Sequence, residues 1–395
     1  MATFNCADIL LPKSADMTKW SVVACDQYTS QPEYWQQAEK IVADAPSTLK
    51  LVFPEAYLSE GNARIEKINA AMQHYLDGGI FTEYKNSLVY IERTVGGKVR
   101  QGLIGAVDLE DYDFRKGAKS KIRATEGAVM SRIPPRVEIR RDAPLELPHV
   151  MLLVDDINRT IIEPLAGSDK TLLYDFELMQ GGGHLTGWRL SDEAAKSALC
   201  AIAELEQTAA DGLLFAVGDG NHSLATAKTC WDERKKSLSA AEVETDPARY
   251  CLVELVNIHS EALVFEPIHR VVFDCEPEKL LEKMKAECGG TGHKIRYVYA
   301  GGEGEIELSD RDAKLAVGAL QSFLDAEGCE VDYIHGDDVC GELGKKSGNI
   351  GFLLPKPDKS DLFASVIKDG ALPRKTFSMG EANEKRFYTE AKRIK

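Results

Sequence analysis

The chain has no Cys-x-x-Cys pair, and its nine cysteines are scattered and odd in number. That pattern excludes a zinc ribbon and a disulfide framework and leaves buried or incidental thiols in a reducing cytoplasm as the expectation. Neither a phosphate-binding G-x-x-x-x-G-K-[ST] loop nor an H-E-x-x-H metal motif occurs. No stretch approaches the roughly 18 consecutive apolar residues of a membrane span. No basic region followed by an apolar segment opens the chain. A soluble cytoplasmic protein without a membrane partner is therefore expected. Positive charge is scarce as well. Lysine and arginine number 48 against 63 aspartates and glutamates, for a net charge of −15. A nucleic-acid binder needs a basic face to replace phosphate counterions, so the balance argues against that partner. It leaves room for a local basic pocket. Internal repeats and low-complexity tracts are absent.

What is there suits a globular α/β protein. The 395 residues are 44% hydrophobic and 28% charged, enough for one large unit or for more than one core. Asn62 to Leu76 reads as an amphipathic helix, with Ile65, Ile68, Met72 and Tyr75 on one face and Gly78-Gly79 at its end. Ser87–Arg93 and Val99–Val107 read as a hairpin about Gly96-Gly97. Strands are expected at Trp20–Cys25, 149–156, 159–165, 171–176 and 251–257. Helices are expected at 32–42, 191–210 and 276–288, and from a Ser309 cap to Glu327. Gly181-Gly182-Gly183-His184 reads as a hairpin tip. Recurrent α/β alternation with many hairpins predicts mixed sheets, with an N-terminal α/β region over 1–250 and a C-terminal one over 251–395.

The stretch Leu213 to Lys228 carries the most chemistry. Leu213 to Val217 are apolar throughout and read as a buried strand. Gly218-Asp219-Gly220-Asn221 follows as a turn, and a helix-compatible run begins at Leu224. Asp219, Asn221, His222 and Ser223 thus share one strand-to-helix corner. Such a corner presents backbone N–H groups and a positive dipole end to an anion, and Gly218 and Gly220 let the ligand approach closely. A simple turn with an N-cap would have the same composition. The functional reading rests on position, because open α/β sheets bind ligands at strand ends.

Residues 116–141 are the basic exception. Lys116, Lys119, Lys121, Arg123, Arg132, Arg136, Arg140 and Arg141 are interrupted by few acids, and Pro134-Pro135 forbids one long helix. Guanidinium forks suit phosphate and carboxylate, so this stretch is expected to line the cleft of Asp219. Glu126, set among those cations, would be held ionised as a base, a metal ligand or a structural ion-pair partner. Asp26 ends another strand in a polar segment, Asp26-Gln27-Tyr28-Thr29-Ser30.

Four separated segments resemble domain-of-unknown-function family 1015: Arg123-Ala124-Thr125-Glu126, the Gly218 to His222 corner, Pro267-Ile268-His269-Arg270, and Pro373-Arg374-Lys375-Thr376-Phe377-Ser378. They occur in the family's order and span most of the chain. The family carries no assigned activity, so this resemblance implies a fold rather than a reaction. The corner alone is also similar to the Asp-Gly-His-His-Arg segment of archaeal free serine kinases, which have a ParB/sulfiredoxin-like core and phosphorylate free L-serine. Asp219, Gly220 and His222 match; Asn221 stands for the first histidine and Ser223 for the arginine. The resemblance implies that Arg123, Arg132, Arg136 or Arg270 replaces the missing phosphate grip. It also implies a carboxylate base, Glu126 first and Asp26 second.

Three functions follow as expectations. The first is phosphoryl transfer between a nucleotide (ATP or ADP) or pyrophosphate and a small hydroxylated metabolite, free L-serine among them. In it Asp219 holds Mg²⁺ or the hydroxyl, His222 contacts phosphate and Glu126 is the base. Gly218, Gly220, Asn221, Ser223, Asp26, His269 and Arg270 complete the binding set. The second is a nucleotide-binding regulatory module of the ParB type. The third is a metal-dependent hydrolase using Asp219, His222 and His269. A small-molecule substrate and a homo-oligomer are the partners allowed for.

Overall fold

The computed structural model of the protein describes residues 2–115, 117–127, 130, 133–311, 313–373 and 375–395. It divides into two compact units. One comprises 1–124, 128–263 and 381–395; the other comprises 125–127 and 264–380. Both are mixed α/β, as the alternation of elements predicts.

The first unit is built on a ten-stranded mixed sheet. Its path runs from the hairpin Lys170–Leu178 and Gly183–Leu190, through the hairpin Val89–Val95 and Lys98–Asp108, to Tyr250–Asn257, Met151–Val154, Phe215–Asp219, Ile122–Ala124 and Tyr112–Asp113. Met151–Val154 runs parallel to Tyr250–Asn257 and antiparallel to Phe215–Asp219. Both faces of the sheet are covered. Val253 and Leu255 join Leu152, Phe215 and Val217 in a core with Ala198 and Ile202 of helix Asp192–Thr208 and Leu224 and Trp231 of helix Asn221–Arg234. Leu252 points the other way, to a core with Val89, Ile91, Ile104 and Trp35 of helix Pro32–Val42. Two buried faces explain why 251–256 is apolar almost without interruption. The tight turn at Gly96-Gly97, with φ of 58° and 74°, closes the hairpin read from the sequence.

Five expectations need correction. Trp20 ends a short helix, Met17–Trp20, capped by Asp16, and only Val22–Val23 is strand. Residues 159–165 are not a strand: the Asp156 carboxylate accepts from the backbone N–H of Thr160 and Ile161 and turns the chain, and Glu163–Gly167 forms a 3₁₀ turn with Pro164 at its start. Ser309 closes the strand Gly302–Ser309, and the helix begins later, at Ala316–Ala326. The strand at the corner runs Phe215–Asp219 rather than 213–217, and the helix after it starts at Asn221, a turn earlier than Leu224, so Gly220 alone separates them. Pro134 and Pro135 sit in the first turn of helix Ile133–Arg141, where a missing N–H costs nothing.

The second unit has an antiparallel six-stranded sheet. Its order is Gly302–Ser309, Gly292–Tyr299, Ile350–Leu353, Phe265–Val272 and Val331–His335, with Phe377–Met379 also on Phe265–Val272. Val271, Val298, Ile334, Cys340 and Leu353 form a core of this unit. Among the described residues of the chain, no helix is long and apolar enough to cross a membrane.

Candidate functional site

The corner is built by three strands and the C-terminal segment. Phe215–Asp219 ends at Gly220, which adopts the left-handed conformation at φ 80° and caps helix Asn221–Arg234. A Cβ at Gly220 would stand 3.0 Å from Val150 Cα and 3.4 Å from His149 Cδ2. Both the backbone and the space therefore require glycine. The register that sets Met151 opposite Asp219 is what brings His149 and Val150 against this turn. Gly220 offers no capping side chain, so the helix's positive end is not neutralised by its own cap. Asn221, His222 and Ser223 form the first helical turn, and the His222 carbonyl accepts from Thr226 Oγ1 at 2.7 Å.

Asp219 is doubly engaged. Its Oδ1 accepts from the Gly220 N–H at 2.9 Å, and its Oδ2 lies 3.3 Å from Lys385 Nζ. Lys385 comes from Glu381–Lys395, which threads back into this unit. Phe387 and Tyr388 pair antiparallel with Val23 and Val22. Buried Arg93 secures the segment by donating to the carbonyls of Asn383, Lys385 and Gly182 and stacking over Phe387.

Asp26 follows that paired strand, and a histidine and a tyrosine adjoin it. The Tyr388 hydroxyl accepts from the Cys25 N–H at 3.2 Å and lies 2.7 Å from His149 Nδ1. His149 Nε2 lies 3.9 Å from Asp26 Oδ2. Burial alone would raise the Asp26 pKa. His149, the Gln27 amide, Lys385 and Arg136 outweigh it and hold the carboxyl below its usual value. Burial also pushes the Cys25 thiol up to about 11, with the Asp26 charge adding to it. His149, Tyr388, Ser223, Thr226 and Arg136 line a cavity of about 500 Å³. Arg136 is ion-paired with Glu55, another lining residue.

The remaining arginines are placed differently. Arg123, on Ile122–Ala124, is buried and bonds Asp211 through Nη1 at 2.9 Å and the Ser120 carbonyl through Nε. Ile122–Ala124 runs parallel to Phe215–Asp219, and Asp211 precedes the latter. The Arg123 guanidinium is thus drawn toward the end of the sheet away from Asp219. Lys119 shares the same Asp211 carboxylate. Arg132 lies outside the described residues, as do Lys116 and Arg374.

Glu126, His269 and Arg270 belong to the second unit. The backbone of Glu126 bridges to Leu372, and its charge acts on Arg270. Arg270 bonds Gln321 Oε1 at 3.0 Å and the Lys375 carbonyl at 2.8 Å, and stacks on Tyr333. His269 Nδ1 accepts from the Leu354 N–H at 3.1 Å, and Nε2 faces Asp337 Oδ1 at 3.0 Å. Its lone pair is therefore already used. Among the described residues, no group of three or more His, Cys, Asp or Glu side chains is arranged to hold a metal ion.

His149, Lys385 and Tyr388 join the site without any motif to mark them. The segment 381–395 contains none of the motifs read from the sequence, and His149 reads as the first residue of a strand.

Comparison with known proteins gives the family. The chain belongs to the family described as a protein of unknown function, DUF1015, whose model matches residues 8–369. No curated protein matches the chain in sequence. Among solved structures, a free serine kinase variant in complex with ADP is 12% identical at a TM-score of 0.39, covering 72% of this chain and 92% of that one. C-terminally truncated SbnI from Staphylococcus aureus is 12% identical at 0.36, covering 70% and 82%. A conserved hypothetical protein from Pyrococcus furiosus is 12% identical at 0.33, covering 68% and 90%. Likenesses this weak carry no part of the argument below.

Proposed function

We propose that this member of the DUF1015 family transfers a phosphoryl group between a nucleotide or pyrophosphate and a small hydroxylated metabolite, with free L-serine the first acceptor to test. The observation that carries the reading is one arrangement. Ser223, in the first turn of a helix with no capping side chain, lines one cavity with His149 and Tyr388; an Asp26 carboxylate held ionised stands beside His149, and Lys385, whose charge acts on Asp26, pairs with Asp219. Phosphoryl transfer asks for little else: positioning, charge neutralisation and an oriented nucleophile.

In this reading the first-turn residues Asn221, His222 and Ser223, with Gly218 and Gly220, cradle the phosphates. Asp219 orients the acceptor hydroxyl. The Asp26 carboxylate takes the hydroxyl proton. The oxygen forms a bond to the terminal phosphorus, and the P–O bond to the leaving nucleotide breaks with its electron pair on the leaving oxygen. Mg²⁺, if recruited with the nucleotide, would neutralise phosphate charge. A single protein carboxylate can suffice for that ion, but at Asp219 it must displace the Lys385 ammonium from Oδ2. The hydrolase reading gains nothing from His269, whose ring nitrogens are both engaged.

The test is consumption of ATP, ADP or pyrophosphate by the purified protein with and without free serine, with phosphoserine assayed as product. Serine-dependent turnover supports transfer. Nucleotide binding that stabilises the fold with no turnover on any acceptor replaces it with the regulatory module.

A further inference from the structure

The cavity beside the corner has a mixed lining. His149, Tyr388, Ser223 and Thr226 supply polar groups, and Glu55, Arg136, Arg140 and Glu146 supply charge. Leu51, Val52, Phe53, Leu58, Ile139, Leu145 and Leu147 make most of the rest apolar. At about 500 Å³ it falls in the range of pockets that enclose drug-sized ligands. A water's share of liquid volume is about 30 Å³, so free serine would fill only a small part and would bring its charged groups against hydrocarbon. Packed interiors close such gaps, because atoms facing a void lose their dispersion contacts. An apolar lining beside polar groups suits an amphiphile.

We propose that the acceptor is a hydroxylated compound with an apolar body, larger than free serine, whose hydroxyl lies at the Ser223–His149 end and whose hydrocarbon or aromatic part lies against Val52, Phe53, Ile139 and Leu145. This rests on the phosphoryl-transfer reading for the identity of the polar end; the apolar subsite stands on the cavity alone. Charge complementarity agrees. The helix N-terminus at Ser223 favours an anion or a developing phosphate ester. In the lining, Arg140 pairs with Glu146 and Arg136 with Glu55.

The test uses phosphate monoesters as mimics of the phosphorylated product, titrated calorimetrically into the full chain: ethyl, butyl, hexyl and octyl phosphate, with O-phospho-L-serine, inorganic phosphate and AMP alongside. Burying a methylene is worth up to about a fourfold gain in affinity. We expect affinity to rise at least tenfold from ethyl to hexyl phosphate, with O-phospho-L-serine no tighter than ethyl phosphate. Leu58, 46% exposed at the cavity, can be changed without disturbing a core. Leu58→Asp and, separately, Ile139→Thr should flatten the chain-length dependence while leaving inorganic phosphate binding within about twofold. A flat series in the unmodified protein overturns the proposal, because the apolar lining is then merely structural. AMP binding tighter than octyl phosphate, with that advantage lost in Ile139→Thr, also overturns it by assigning the cavity to a nucleobase. Should the series rise while no acceptor of any kind supports nucleotide consumption, the subsite stands and phosphoryl transfer falls.

Discussion

Lys385 Nζ stands 3.3 Å from Asp219 Oδ2, joining the last segment of the chain to the corner at the end of a central strand. Both side chains are largely shielded, so the pair is screened less than a surface ion pair. Asp219→Asn and Lys385→Met, alone and together, form a double-mutant cycle in urea. A coupling of about 1 kcal/mol is expected, at the upper end for exposed pairs. A coupling indistinguishable from zero would mean that the contact does not organise the site.

Catalytic roles separate from structural ones by kinetics. Asp219→Asn keeps the turn and removes the charge. It should leave the protein folded and lower turnover by roughly two to four orders of magnitude. If Asp219→Asn retains full activity, Asp219 has no part in the chemistry.

Gly220→Ala tests the corner's backbone. A left-handed φ of 80° and a 3.0 Å approach to Val150 Cα predict a loss of about 1–3 kcal/mol, read as a lower urea midpoint at unchanged m-value. Gly212, also at positive φ but with open space around it, is the control: Gly212→Ala should cost less.

The acid limb of stability should report on Asp26. Its folded pKa lies below the ordinary value of 3.8, so the unfolded chain binds the proton more tightly. The resulting stabilisation is fully present above about pH 5 and is lost as the pH falls through the folded pKa. Asp26→Asn should therefore show a shallower fall in unfolding free energy between about pH 5 and pH 2 than the parent protein. Parallel curves would mean that His149, Lys385 and Arg136 do not hold the carboxylate ionised.

Thiol labelling offers a simpler check. Cys200 is exposed, whereas burial pushes Cys25 up to about 11. The thiolate is the reactive form. At neutral pH a maleimide should modify Cys200 ahead of Cys25, as mapped by peptide mass. Early labelling of Cys25 would show that the cavity mouth leaves it in water.

The sequence by itself determined the local pieces of this protein. An unbroken apolar run at 213–217 could only be a buried strand or buried helix. Gly220 ends the strand, which runs two residues past the apolar run to Asp219, and the polar residues beyond were bound to sit at its exit, because turn chemistry depends on neighbours in the chain. The glycine hairpin at 96–97 and the helix Asn62–Asp77 were legible for the same reason. What only tertiary structure decided was which distant groups meet that exit. The register of Met151 against Asp219 delivers His149. The pairing of Phe387 with Val23 delivers Lys385 and Tyr388 from a segment distant in the chain. The Asp211 carboxylate draws Arg123 to the far end of its strand, although its charge in sequence suggested an anion site at the corner. Residue type fixes what a side chain can do. Strand register and chain return are set by burial summed over the whole fold, and no window of sequence contains that sum.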